Sequence, residues 1–136
     1  KLLLQLPNQH VIVLGGPGDD FCQAITDVAP DRTHNMAGKL SWLETCEVIK
    51  KSKALISADT GVMHLADHLG VPTIALIGPT AFGFPSFPNS IVIDVELPCR
   101  PCSKDGRGRC IQNIYQKCMV DISPETVIRR IQESNA

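Results

Sequence analysis

The sequence predicts an α/β fold, a parallel sheet with helices on both faces. Three observations carry that prediction. Short apolar runs of strand length alternate with segments of helical period along the chain. The run "PTIALIG" is apolar almost throughout, as in a strand covered on both faces. The longer irregular stretches, residues 79–90 and 96–110, follow strand ends, where doubly wound folds build their sites.

The elements follow in order. "KLLLQLPNQH" opens abruptly with an apolar, helix-like end and a Pro-Asn turn, so a missing upstream part is expected. "HVIVLGG" is a strand ending at Gly15-Gly16. "DDFCQAITDVA" is a helix with Asp19 and Asp20 at its start, favourable to the helix dipole. "RTHNMAG" is a weak strand and turn. "SWLETCEVIKKS" is a helix whose Ser41 and Glu44 are spaced as a capping box, with Leu43, Cys46 and Ile49 on one face. "KALISA" is a strand. "TGVMHLADHLG" is a helix with a stripe of Val62, Leu65, Ala66 and Leu69, stopped by Gly70 and Pro72. "PTIALIG" and "SIVIDV" are strands. "SPETVIRRIQE" is a closing helix with Ser123 as cap and Pro124 in the first helical position.

Composition narrows the function classes. The 136 residues are 43% hydrophobic and 20% charged, enough for a real core in one domain over residues 1–136. A net charge of -1 supplies no global basic field for nucleic acid or anionic lipid. No apolar run is long enough to span a bilayer, and no secretory signal opens the chain.

The candidate site lies at the corner "SADTG". The stripe lays the following helix on the sheet, so its first turn sits at the carboxyl edge of the strand "ALISA". Free N–H groups there favour an anion. Gly61 keeps the approach open and Thr60 adds a hydroxyl. Asp59 would repel a bare phosphate but suits the hydroxyls of a sugar attached to one. The combination points to a sugar phosphate. Asp59 also suits the plainer role of helix N-cap, and the two roles are compatible.

Other motifs carry less. "LGGPGDDF" lacks the GxGxxG spacing, and GxxxxGK[ST] does not occur. Asp19 or Asp20 could accept from ribose hydroxyls, or serve only the helix dipole. His64 and His68 have the i, i+4 spacing of a zinc-protease helix, but the glutamate of that motif is missing. His64 reads better as a polar residue near the helix start, over the site.

The runs Asp59-Thr60-Gly61-x-x-His64-Leu65-Ala66, Leu69-Gly70-Val71-Pro72 and Gly78-Pro79-Thr80 resemble the donor-domain signature of the bacterial heptosyltransferases. "VIVLGGPGDD" and "AGKLSWLETCEVIKKSKALISADTG" look like the preceding parts of that domain. The resemblance implies a Rossmann-like, doubly wound parallel sheet, the C-terminal half of a B-type glycosyltransferase fold. It implies an inverting transfer of heptose, or a related sugar, from an ADP-sugar to the lipopolysaccharide core. Asp59 would contact the sugar, Thr60 and Gly61 the diphosphate, Asp19 the ribose, and Leu40 would lie near the adenine. The general base and the acceptor site would belong to a missing N-terminal half, so this part alone would bind donor without transferring it. The placement implied is cytoplasmic, at the inner face of the inner membrane, with peripheral membrane contact at most and no nucleic acid. No metal is required for transfer where helix N-termini and cations stabilise the departing diphosphate. Many members carry an acid after Gly-Pro-Thr; here Ala81 stands there, which leaves the sugar open.

The cysteines are the remaining feature. Cys22 and Cys46 lie in apolar-periodic segments and read as buried thiols. Cys99, Cys102, Cys110 and Cys118 crowd into a loop over residues 96–118, and many relatives of the resembled family carry cysteines here. Four thiolates could hold a structural, tetrahedral zinc, but the second half lacks a paired C-x-x-C. Unligated thiols and disulfides stay open, the latter disfavoured in a cytoplasmic enzyme. Arg100, Lys104, Arg107 and Arg109 could lean towards phosphates or form a solvated face. The rival functions are a non-catalytic nucleotide- or zinc-binding module, and a sugar-nucleotide epimerase of the same fold.

Overall fold

The computed structural model describes residues 1–80 and 83–134. Ala81, where the resembled family often has an acid, lies outside the described residues. The chain divides into two compact units, Lys1–Val48 and Ile49–Ala136, each described by itself.

In the first unit a 3-10 turn, Leu2–Gln5, precedes strand β1 (Val11–Val13), helix α1 (Phe21–Thr26) and strand β2 (Thr33–Asn35). β1 and β2 pair in parallel, Val11 opposite Thr33 and Val13 opposite Asn35. Helix α1 is only six residues long, and Asp20 occupies its N-cap position without a side-chain cap bond. The expected acids therefore sit before the helix rather than in its first turn. Arg32 fastens the start of the chain. Its guanidinium donates to the carbonyls of Leu6 at 2.8 Å and Gln9 at 3.1 Å, and also to Leu3.

Helix α2 (Trp42–Lys51) begins with the predicted reciprocal box. The Ser41 amide donates to the Glu44 carboxylate at 2.8 Å, and the Glu44 amide donates to the Ser41 hydroxyl at 3.3 Å. Its inward face differs from the expected one. Ile49 is buried, but Leu43 is 74% exposed, and Thr45 takes the buried place one turn before Ile49. The Thr45 hydroxyl is satisfied by the Ser41 carbonyl at 3.0 Å, which makes a polar residue tolerable there.

The second unit holds a three-stranded parallel sheet in the order β3-β4-β5, with β3 at Leu55–Ala58, β4 at Thr73–Ile77 and β5 at Ile91–Asp94. The central strand β4 is buried on both faces, as its apolar run predicts. Helix α3 (Gly61–His68) packs on β3 and β4. Its buried residues are Met63 and Ala66, and Met63 joins Ala75 and Ile77 in the core. The predicted stripe is thus rotated. Val62, Leu65 and Leu69 are only half-buried. The stripe rule counted apolar residues but could not see that the sheet faces the Met63–Ala66 side.

The end of α3 follows the sequence closely. Gly70 adopts a left-handed φ of 68°. The Gly70 amide donates to the Asp67 carbonyl at 3.1 Å and the Val71 amide to the Ala66 carbonyl at 2.9 Å. These are the paired bonds of a Schellman stop. A short helix α4 (Lys117–Val120), not foreseen, carries Cys118, and α5 (Pro124–Ser134) closes the chain. The Thr126 amide donates to the Ser123 hydroxyl at 3.1 Å, confirming the predicted cap. Among the described residues no helix is long and apolar enough to cross a membrane.

Candidate functional site

β3 ends at Ala58, and the chain turns through Asp59 and Thr60 into α3. The N-cap is Thr60, with extended backbone at φ -140° and ψ 168°, so Asp59 is not the cap. Thr60 makes no side-chain cap bond; its hydroxyl lies 2.9 Å from that of Ser57. Gly61, the first helical residue, is exposed. A backbone approach therefore stays open beside a hydroxyl at the positive end of an eight-residue helix.

Asp59 points at a different partner. Its Oδ1 lies 3.3 Å from Nε2 of His64, with the Asp59 side chain 18% exposed and that of His64 50% exposed. The sequence thus brings Asp59, Thr60, Gly61 and His64 to one helix start. The acid and the imidazole together offer an acceptor and a donor to neighbouring hydroxyls.

Two contributors are invisible to motif reading. Gly83 has φ 75°, and a Cβ there would stand 2.7 Å from Cε1 of His64. Only glycine lets this stretch of backbone lie against the imidazole. Asp67 then ties the following residues to α3. Its carboxylate accepts the amides of Ser86 at 2.8 Å and Phe87 at 2.7 Å, and the Ser86 hydroxyl at 2.9 Å. The Ser86 amide, then that of Phe87, hold the Asp67 carboxyl below its ordinary range. Its partners lie 19 and 20 residues away, and the available signal was an acid on the half-buried flank of α3.

In the first unit, Asp19 closes the glycine turn. The Gly16 amide donates to Asp19 Oδ2 at 2.6 Å, leaving the other carboxylate oxygen for a further partner. Gly38, at φ 68°, passes so close to Pro17 that a Cβ would stand 2.8 Å from its Cα. The Gly38 amide donates to the Gly15 carbonyl at 2.9 Å. The segment leading to Leu40, which is half-buried, therefore runs beside the glycine turn at the ends of β1 and β2.

The cysteine loop is a separate feature of the second unit. Cys99, Cys102, Cys110 and Cys118 are all free thiols and line one cavity of about 20 Å³. Among the described residues no three His, Cys, Asp or Glu side chains are already gathered as a metal site. Burial, above all, raises the Cys118 thiol, with Arg100 acting the other way. Cys110 is lowered by amides, first that of Gln112 and then that of Gln116. Arg100 is committed to structure rather than to a phosphate. It donates to the Gly78 carbonyl at 2.6 Å and to the Val95 carbonyl, and pairs with Asp94 at 3.2 Å. Arg107 is largely exposed beside Asp105, and Lys104 and Arg109 are exposed.

Comparison with known proteins fits this geometry. The chain superposes on E. coli ADP-heptose lps heptosyltransferase II with a TM-score of 0.78 at 23% identity, covering 98% of this chain and 39% of that one. It superposes on the glycosyl transferase family 9 protein of Veillonella parvula with a TM-score of 0.68 at 25% identity, covering 96% and 37%. Lipooligosaccharide heptosyltransferase 2 of Campylobacter jejuni is 27% identical over 142 residues, covering 98% of this chain and 44% of that protein. The fold is accordingly that of a Rossmann-like α/β part of a B-type glycosyltransferase. The family model of glycosyltransferase family 9 (heptosyltransferase) matches residues 1–111, and the chain belongs to that family. It spans less than half the length of the relatives it matches.

Proposed function

We propose that this chain is the donor-binding half of an inverting glycosyltransferase of lipopolysaccharide core synthesis. Its donor is an ADP-sugar, with heptose or a related sugar transferred to the core acceptor. The observation that carries the reading is the Asp59-Thr60-Gly61 corner, with His64 facing Asp59, in a chain of this family. The α3 N-terminus presents partial positive charge worth roughly half a unit to a departing diphosphate. Gly61 admits that group and the Thr60 hydroxyl donates to it. Asp59 accepts from sugar hydroxyls, and His64 holds the carboxylate in place while presenting its other edge to the ligand. Asp19 and Leu40 carry the ribose and adenine assignments implied by the family resemblance. The base and acceptor contacts belong to the other half of a longer protein, which works in the cytoplasm at the inner face of the inner membrane.

Titration of this chain with ADP and with an ADP-sugar, followed residue by residue by NMR, tests the reading. Shifts are expected at residues 57–64 and 15–20, larger at Asp59 and His64 for the sugar-bearing ligand. Shifts scattered elsewhere, or none with either ligand, defeat it.

A further inference from the structure

The loop after β5 gathers four thiols without a core of its own. Between Pro98 and Gln116 the chain forms no helix or strand, and Ile111, Ile114 and Tyr115 point largely to solvent. Apolar burial therefore does little to hold this stretch. It is nevertheless pinned at both ends to the close of β4. The amides of Cys102 and Ser103 donate to the Pro79 carbonyl at 3.1 and 3.2 Å. At the far end, Cys118 is buried on α4, and Gly78 leaves it room: a Cβ there would stand 3.3 Å from its Sγ.

We infer that Cys99, Cys102, Cys110 and Cys118 form a structural zinc site. Four cysteines separated in sequence by two, seven and seven residues arrive at the wall of one cavity of about 20 Å³. That is roughly the space of a single water or ion. Polar donors already address the sulfurs. Gln112 Nε2 lies 3.2 Å from Cys99 Sγ, and the Gln116 amide lies 3.3 Å from Cys110 Sγ. Such N–H groups stabilise sulfur that carries negative charge, the outer-shell role that metal thiolates need. An all-sulfur tetrahedral set with bonds of about 2.3 Å suits zinc. The four cysteines line the cavity, but among the described residues no three of these side chains are gathered to hold an ion, so binding requires the thiols to move inward. As each Zn–S bond forms, the thiol proton leaves to solvent. The ion then holds, by coordination, a loop that apolar contacts do not hold.

The test uses the whole chain, purified without added metal, reduced, given one equivalent of zinc and desalted. Elemental analysis is expected to find about one zinc per chain. Competition with a chromogenic chelator is expected to show Gln112→Ala weakening zinc by about 10–100-fold. Gln112 lies outside the core, so this variant stays informative where a Cys118→Ser variant fails to fold. A Cys99→Ser, Cys110→Ser double variant should retain no zinc. A reduced, folded chain that keeps no zinc overturns the site. So does full zinc retention by the double variant, or iron in place of zinc.

Discussion

Asp59 and His64 face each other at the start of α3, with 3.3 Å between carboxylate and imidazole, while Thr60 takes the N-cap. The division of labour matters for mutagenesis. A capping aspartate would cost about 1 kcal/mol of stability on removal. A pair with a half-exposed histidine contributes less, about 0–1 kcal/mol. Asp59→Ala is therefore expected to leave the melting temperature of this chain nearly unchanged. If this chain acts as the proposed donor half, the same change in a protein that carries both halves should raise the barrier to transfer by about 2–4 kcal/mol, as for other lost transition-state hydrogen bonds. Thermal melts beside initial rates check both halves of the expectation; a variant that unfolds, or that transfers normally, contradicts it.

Asp67 gives this unit an acid-sensitive fastening. The Ser86 and Phe87 amides stabilise its charged form, so its folded pKa lies below the unfolded one. The contribution is fully present above the unfolded value of about 3.9 and fades as pH falls through the folded value. Asp67→Asn should therefore flatten the acid limb of stability against pH, with the two proteins converging at the acid end. At neutral pH Asp67→Ala is expected to cost about 1.5–2 kcal/mol, the lower part of the range for charge-assisted bonds because the group is partly solvated. Amide exchange at Ser86 and Phe87 should quicken first. An unchanged exchange rate there would show that Asp67 does not hold these residues.

Arg32 offers a purely structural counterpart in the first unit. Its three backbone acceptors belong to the segment Leu3–Gln9. Arg32→Ala is expected to raise protease cleavage and amide exchange within residues 1–10. Lysine carries one compact ammonium in place of the planar fork and should restore only part of the protection. Equal protection in the alanine variant would show that other contacts hold the segment.

What the sequence disclosed divides by range. The Ser41–Glu44 box, the Gly70 stop and the Ser123-Pro124 start depend on bonds within a few residues, and all three appear as expected. The DTG corner was legible because a strand end, a small residue and a helix start adjoin in the chain. The inward face of α3 includes Ala66 of the predicted stripe but takes Met63 where Val62, Leu65 and Leu69 were expected, because tertiary packing rather than period chose it. Asp67 and Arg32 were unreadable for the same reason at longer range, with partners up to 20 and 29 residues away. The four cysteines were plain as a cluster, whereas their common cavity depends on how Pro79 and Gly78 receive the loop.

Gly83 supplies the sharpest steric test. Its φ of 75° already costs an L-residue about 1–2 kcal/mol, and an added Cβ would stand 2.7 Å from His64 Cε1. The imidazole is half-exposed, so relief is expected from movement of His64 rather than from unfolding. Gly83→Ala should then shift the His64 ring resonances and lengthen its contact with Asp59, with a stability loss of about 1–2 kcal/mol. Gly18→Ala is the control: a Cβ there meets nothing within 4 Å, and its φ is not in the left-handed range. That substitution is expected to be neutral or to stabilise by about 0.4–1 kcal/mol through the unfolded chain. If Gly83→Ala leaves the His64 ring signals where they are, then Gly83 does not press on the imidazole, and the site is bounded by α3 and β3 alone.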